Sequence, residues 1–260
     1  MYFYEYLYLV EEAIVKTIRK CYPASWDENH ISFSLVDELY ARNRNVSVED
    51  LDRPFKIVWD FRKLRLPEES TYGDIGILVR LTSWAGETIE GVGLLEAKRR
   101  DIGKGSFSAA KTKQLKRIVK NAPRSQLLLY DYENVSSCMD NWLVQCKDDF
   151  FYRKRYYGQQ YGISNPFTHA VCVPISVALS LDAYTTDLHK FGVPLSYQLV
   201  GRYFRGFDLE MNPDTVSAVK GNVERHGGCR ILMIVGVSTG PAEPELPAVN
   251  EDVYGRGRDG

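Results

Sequence analysis

The chain has 260 residues, of which 44% are apolar and 26% charged, and its 33 basic and 34 acidic side chains leave a net charge of −1. That balance excludes a disordered, collagenous or disulfide-scaffold chain and predicts a globular protein with room for one or two domains. No run approaches the roughly 18 apolar residues of a membrane span, and the Tyr-rich start, which contains Glu5, lacks the basic flank and cleavage site of a signal peptide. A cytoplasmic chain with no membrane partner is therefore expected.

In chain order, Leu7, Val10, Ile14 and Ile18 recur at helical spacing and Pro23 marks the stop. Phe33, Val36, Leu39 and Tyr40 predict a second helix to about Ala41. The period then changes: Phe55 to Leu64 is aromatic and β-branched and predicts a strand, bounded by Pro54 and by the Pro67 to Gly73 turn cluster. Asp74 to Leu81 and Thr88 to Lys98 predict two strands joined through Trp84, Ala85 and Gly86, which makes a hairpin and a third consecutive strand. Ser106 is the predicted start of a helix whose apolar positions are Ala110, Leu115, Ile118 and Val119, with Pro123 as its end. Ser125 to Tyr132 reads as a buried strand.

Residues 136 to 165 are mixed and partly helical in pattern, with a basic and aromatic cluster at Tyr152, Arg153, Lys154, Arg155, Tyr156 and Tyr157 that would either stack bases or form a solvated helix face. His169 to Val173 predicts a strand, helical material follows to about Phe204, and Ile231 to Val237 predicts a last buried strand. The Pro-, Glu- and Gly-rich stretch from Gly240 to Gly260 predicts a mobile tail. No repeat or Gly/Ser linker divides the chain, so a single domain over 1–239 is expected, with a core over about 30–135 and a helical elaboration over 136–239.

The near-zero net charge hides an uneven distribution. From Lys98 to Arg124 there are 10 basic residues and 1 acid, Asp101, while the other 233 residues hold 23 basic and 33 acidic side chains. Such a local excess predicts a surface for a polyanion, because Lys and Arg contacts to phosphate supply most non-specific nucleic-acid affinity. Arg99, Arg100, Lys104, Lys111, Lys113, Lys116 and Arg117 are the candidate contacts, set against the plainer reading of a solvated helix face.

The hairpin carries the chemistry. Side chains alternate along a strand, so Glu96 and Lys98 share a face, with Cα atoms roughly 7 Å apart. A register that sets Asp74 opposite Glu96 centres the turn on Ala85 and needs an odd loop of three or five residues; Ser83 to Glu87 meets that need, with Gly86 available for a left-handed position. Two nearby carboxylates repel and favour a divalent cation between them, and oxygen-only ligation with little caging suits Mg²⁺ or Mn²⁺. A lysine beside that cation would orient or help deprotonate an attacking water.

Gly73-Asp74, then Glu96-Ala97-Lys98 at the end of an apolar strand, then Gln114 in the following helix, resemble the PD-(D/E)XK nuclease superfamily, the fold of restriction endonucleases, RecB-type exonucleases and many phage-defence effectors. The resemblance spans about 100 residues. It implies an α/β restriction-endonuclease-like fold, with a mixed central sheet flanked by helices and a helical C-terminal elaboration. By position it implies Asp74 and Glu96 as Mg²⁺ ligands, the carbonyl of Ala97 as a further ligand, Lys98 as the water-orienting group and Gln114 as a catalytic residue. The chain departs from the subgroup's Q-x-x-x-Y pattern, since Ile stands at position 118. An acid from an N-terminal helix often completes such sites, and Glu38 is the choice ahead of Glu12.

The implied activity is Mg²⁺- or Mn²⁺-dependent hydrolysis of DNA phosphodiesters by a metal-activated water, in an antiviral defence or restriction effector working as a homodimer or with a sensor or helicase subunit. RNA as substrate, or a degenerate fold serving as a nucleic-acid-binding or assembly subunit, are the alternatives. Other signals carry less. The five cysteines, Cys21, Cys138, Cys146, Cys172 and Cys229, include no C-x-x-C pair. Gly103-Lys104-Gly105-Ser106 has Lys98 where a Walker A loop needs glycine, and His226 with Cys229 supplies at most half of a metal site.

Overall fold

The computed structural model describes residues 1–49, 54–65, 72–138, 167–181, 184–222 and 228–257. The Tyr152 to Tyr157 cluster, Cys146 and His226 lie outside the described residues. Two helices open the chain, α1 (Phe3–Cys21) and α2 (Glu28–Asn43), followed by strands β1 (Asn45–Val48), β2 (Phe55–Leu64), β3 (Ile75–Thr82) and β4 (Thr88–Arg99). Helix α3 (Thr112–Asn121), β5 (Gln126–Val135), β6 (Thr168–Pro174), α4 (Ile175–Leu181), β7 (Val193–Pro194), α5 (Pro213–Val219), β8 (Ile231–Ser238) and β9 (Tyr254–Arg256) complete the order. Between β7 and α5 the chain winds as a π-helical turn, Tyr197–Arg202, and a 3-10 turn, Tyr203–Arg205.

The nine strands form one mixed sheet in the order β1-β2-β8-β3-β4-β5-β6-β7, with β9 also on β2. Strands β3 and β8 run parallel, as do β4 and β5, and the remaining neighbours are antiparallel. The architecture is α/β, with helices on both faces. On one face Val10, Ile14 and Ile18 of α1 and Ile31, Leu35 and Leu39 of α2 pack on Ile77, Leu95, Leu128 and Tyr130. On the other, Leu115 and Ile118 of α3 cover Leu127, Leu129, Val171 and Val173, and Val216 and Val219 of α5 cover Leu78, Leu94, Leu232 and Ile234.

The expected hairpin register is present. Ile75 pairs with Leu95 and Thr82 with Thr88, so the loop is Ser83 to Glu87, and Asp74 falls opposite Glu96. Gly86 takes the left-handed position at φ 83°, which a side chain would resist.

Three expectations change. The helix does not start at Ser106, whose hydroxyl instead bonds Asp101 Oδ2 at 3.1 Å; residues 106–111 remain a loop, and the helix starts at Thr112. The elaboration over 136–239 is not purely helical: strand β8 enters the sheet between β2 and β3. The elaboration beyond residue 136 thus supplies a central strand as well as helices. Finally, 240–257 is not a mobile tail. Leu246, Val249, Val253 and Tyr254 pack against the α5 cluster, and β9 pairs with β2, because these scattered apolar residues gain more from burial than the Pro and Gly around them lose.

Candidate active site

The site lies where β4 outruns β3. Beyond Ile75 the ladder donors on the β3 side of β4 have no strand partner, and carboxylates take the place of one: Asp74 Oδ2 accepts from the Ala97 N–H at 3.0 Å, and Glu28 Oε1 accepts from the Arg99 N–H at 3.3 Å. Gly73 sets up this approach. Its φ is 113°, and a Cβ there would stand 2.7 Å from the Leu95 carbonyl oxygen. Glu28 is delivered by the start of α2, where Asp27 caps the backbone N–H groups of Asn29 and His30, and the Trp26 indole N–H donates to the Arg100 carbonyl at 2.8 Å.

Glu96 and Lys98 are buried, at 2% and 4% exposure. Glu96 Oε1 accepts from Lys98 Nζ at 2.6 Å and from Gln114 Nε2 at 2.7 Å. Lys98 Nζ also donates to the Ala97 carbonyl at 2.8 Å and to Glu28 Oε2 at 3.4 Å. Burial and then the neighbouring Asp74 push the Glu96 carboxyl up to about 7, with Lys98 pulling the other way. Burial works against the Lys98 ammonium, but Glu96, Glu28 and Asp74 outweigh it and hold its pKa above the usual lysine range. Burial also raises Glu28, against the pull of Lys98.

A cavity of about 410 Å³ is lined by the carboxylates Asp74 and Glu96 and by Gln114, together with the cations Lys111, Lys113, Arg117 and Arg230. Arg230 was not singled out in the sequence. It precedes β8, and the parallel register that pairs Ile75 with Ile231 sets it abreast of Asp74; its Nη1 stands 3.6 Å from Asp74 Oδ1.

Of the residues expected from sequence, Asp74, Glu96, Ala97, Lys98 and Gln114 therefore come together, and Lys111, Lys113 and Arg117 join them. Glu38 does not: it pairs with Arg42 on α2, ten residues and roughly 15 Å along the helix from Glu28. Glu28 is the α2 carboxylate at the site, and the signal that could have found it is the Asp27 cap just before it. Lys104 and Lys116 are exposed and are not among the described cavity residues, and Arg99 is half-buried.

Arg100 turns inward. It bonds Asp131 at 3.1 Å, Glu133 at 2.8 Å and the Lys104 carbonyl at 2.6 Å, and its guanidinium lies 4.9 Å from the Tyr132 ring centre. The acids downstream on β5 thus engage donors that the sequence offered to a polyanion.

Among the described residues, no group of three or more His, Cys, Asp and Glu side chains is placed to hold a metal. The donors available are two carboxylates, Asp74 and Glu96, and the Ala97 carbonyl. That set fits Mg²⁺, which keeps several waters and needs only one or two carboxylates from the protein. Two of these groups, Glu96 Oε1 and the Ala97 carbonyl, already accept from a cation, the Lys98 ammonium, at 2.6 and 2.8 Å. No helix of the described residues is long and apolar enough to cross a membrane. No family model matches the chain, and no curated protein or solved structure matches it at a significant level.

Proposed function

We propose that the protein is a metal-dependent nuclease that hydrolyses DNA phosphodiesters, with the site of the PD-(D/E)XK superfamily on a restriction-endonuclease-like sheet. The observation that carries this reading is the convergence of Asp74, Glu96, the Ala97 carbonyl and Lys98 at one strand end, under a rim of cations. Asp74 and Glu96 would hold Mg²⁺ or Mn²⁺ with the Ala97 carbonyl. The bound cation would polarise the scissile phosphate and lower the pKa of the attacking water.

The chain's own groups do the rest. Lys98 is held charged by its three acidic neighbours, so it serves as a donor that orients the water and offsets charge developing on the phosphate, not as a base. Gln114 fixes the Glu96 carboxylate through Oε1. Lys111, Lys113 and Arg117 hold phosphates of the substrate strand above the carboxylates.

Supercoiled plasmid, linear duplex and single-stranded RNA incubated with the protein test the reading. Nicked or linear plasmid in Mg²⁺, abolished by EDTA, is the expected result. Cleavage of RNA alone would move the substrate to RNA, and cleavage of none would leave the binding or assembly alternative.

A further inference from the structure

The cavity has a second wall that the motif does not explain. Lys111, Lys113 and Arg117 reach it from α3 and its N-cap, next to the motif in sequence, whereas Arg230 arrives from the far end of the chain, just before the strand inserted between β2 and β3. Its pairing with Asp74 is loose: 3.6 Å is beyond hydrogen-bond length, and the Arg230 side chain is 52% exposed. An ion pair of that kind contributes little to stability and exchanges readily for a better anion. Among the described residues, the lining is charged or amide throughout, with no aromatic or apolar side chain on which a base could stack.

We infer that Arg230 forms a phosphate subsite on the β8 side of the cavity, facing the α3 cations, so that the substrate strand is gripped by its phosphates from both sides. The inference rests on the nuclease reading and says how that site holds its substrate. Arginine suits the role, since its planar fork takes two phosphate oxygens at once. The same fork lying beside Asp74 shields the incoming phosphate from the carboxylate's repulsion. In the metal-free site, without Arg230, the phosphate nearest Asp74 would meet negative charge on that side with no cation between.

The test is fluorescence anisotropy in EDTA, which prevents cleavage, with labelled oligo(dT) and mixed-sequence single-stranded and duplex probes titrated with KCl. Wild type, Arg230→Gln, Arg230→Lys and a control, Lys16→Gln, are compared; Lys16 is exposed on α1, on the opposite face of the sheet. Arg230→Gln should lower the log–log salt slope by about one and weaken binding about tenfold at the lowest salt. Arg230→Lys should restore the slope but only part of the affinity, and the control should match wild type.

Wild-type slope and affinity in Arg230→Gln, with an unchanged melting curve, would overturn the subsite, and so would wild-type protein that binds no probe. Cleavage by wild type with an unchanged Arg230→Gln slope sinks the subsite alone. A lowered slope with no cleavage by wild type sinks the nuclease reading alone.

Discussion

Glu96 and Lys98, two residues apart on β4, share a face and meet at 2.6 Å between Oε1 and Nζ, both buried. This pair is at once the centre of the site and a piece of the core, so stability and activity should separate between its two members.

Glu96→Gln keeps an oxygen for the Lys98 and Gln114 donors and should cost less than about 1 kcal/mol of stability at pH 6 or 8. Lys98→Ala leaves a buried carboxylate without its cation and should cost about 1–3 kcal/mol at pH 8. The loss should shrink at pH 6, where Glu96 escapes by taking a proton. Urea melts of both variants at the two pH values check this.

The raised Glu96 pKa also has a sign. Its carboxyl holds a proton more tightly folded than unfolded, where it titrates near 4.5, so the stability it contributes is full below that value and is lost as pH rises through about 7. Wild type should lose stability between about pH 4.5 and 7 relative to Glu96→Gln. Cleavage should follow the opposite course, since a protonated carboxyl is a poor ligand: at fixed Mg²⁺ the rate should rise with pH through the region near 7. Paired denaturation and pH–rate profiles measure both.

Calorimetric titration with Mn²⁺ should detect binding that weakens at least tenfold in Asp74→Asn and in Glu96→Gln, in line with loss of a ligand carboxylate. Glu38→Gln should bind as wild type does, because its carboxylate is engaged by Arg42 away from the site. Equal weakening in Glu38→Gln would move the ligand set.

The cations of the basic run should divide by partner. Arg100→Gln strips Asp131 of a buried ion pair, which should cost about 3 kcal/mol, or roughly 6–12 °C in melting temperature for a chain this long. It should leave the salt slope of DNA binding unchanged. Lys113→Gln should do the reverse, lowering the slope by about one with no change in melting. Lys116→Gln, outside the cavity lining, should lower the slope less.

What the sequence made legible follows from range. The hairpin register, and with it the meeting of Asp74 and Glu96, was readable because strand alternation and one short loop settle it over some twenty residues. Helices α1 and α2 were readable from their apolar spacing. The position of β8 was not, because strand order depends on which distant edge offers a matching apolar face, and nothing local to Ile231–Ser238 names β3 as its neighbour. Arg230 was missed for that reason. Arg100 and Arg99 look alike in the basic run, and only Asp131 and Glu133, some thirty residues on, draw Arg100 inward. Glu38 against Glu28 turned on the direction of α2, which carries Glu28 and not Glu38 to the end of β4.

Cleavage of supercoiled plasmid by wild type and by Glu96→Gln, purified alike and assayed side by side in Mg²⁺, tests the central claim most directly. The account predicts nicked or linear product from wild type, none with EDTA, and a loss of at least about a hundredfold in rate in the variant, as expected when a ligand to the metal that activates the water is removed. Equal cleavage by a folded Glu96→Gln protein would contradict it.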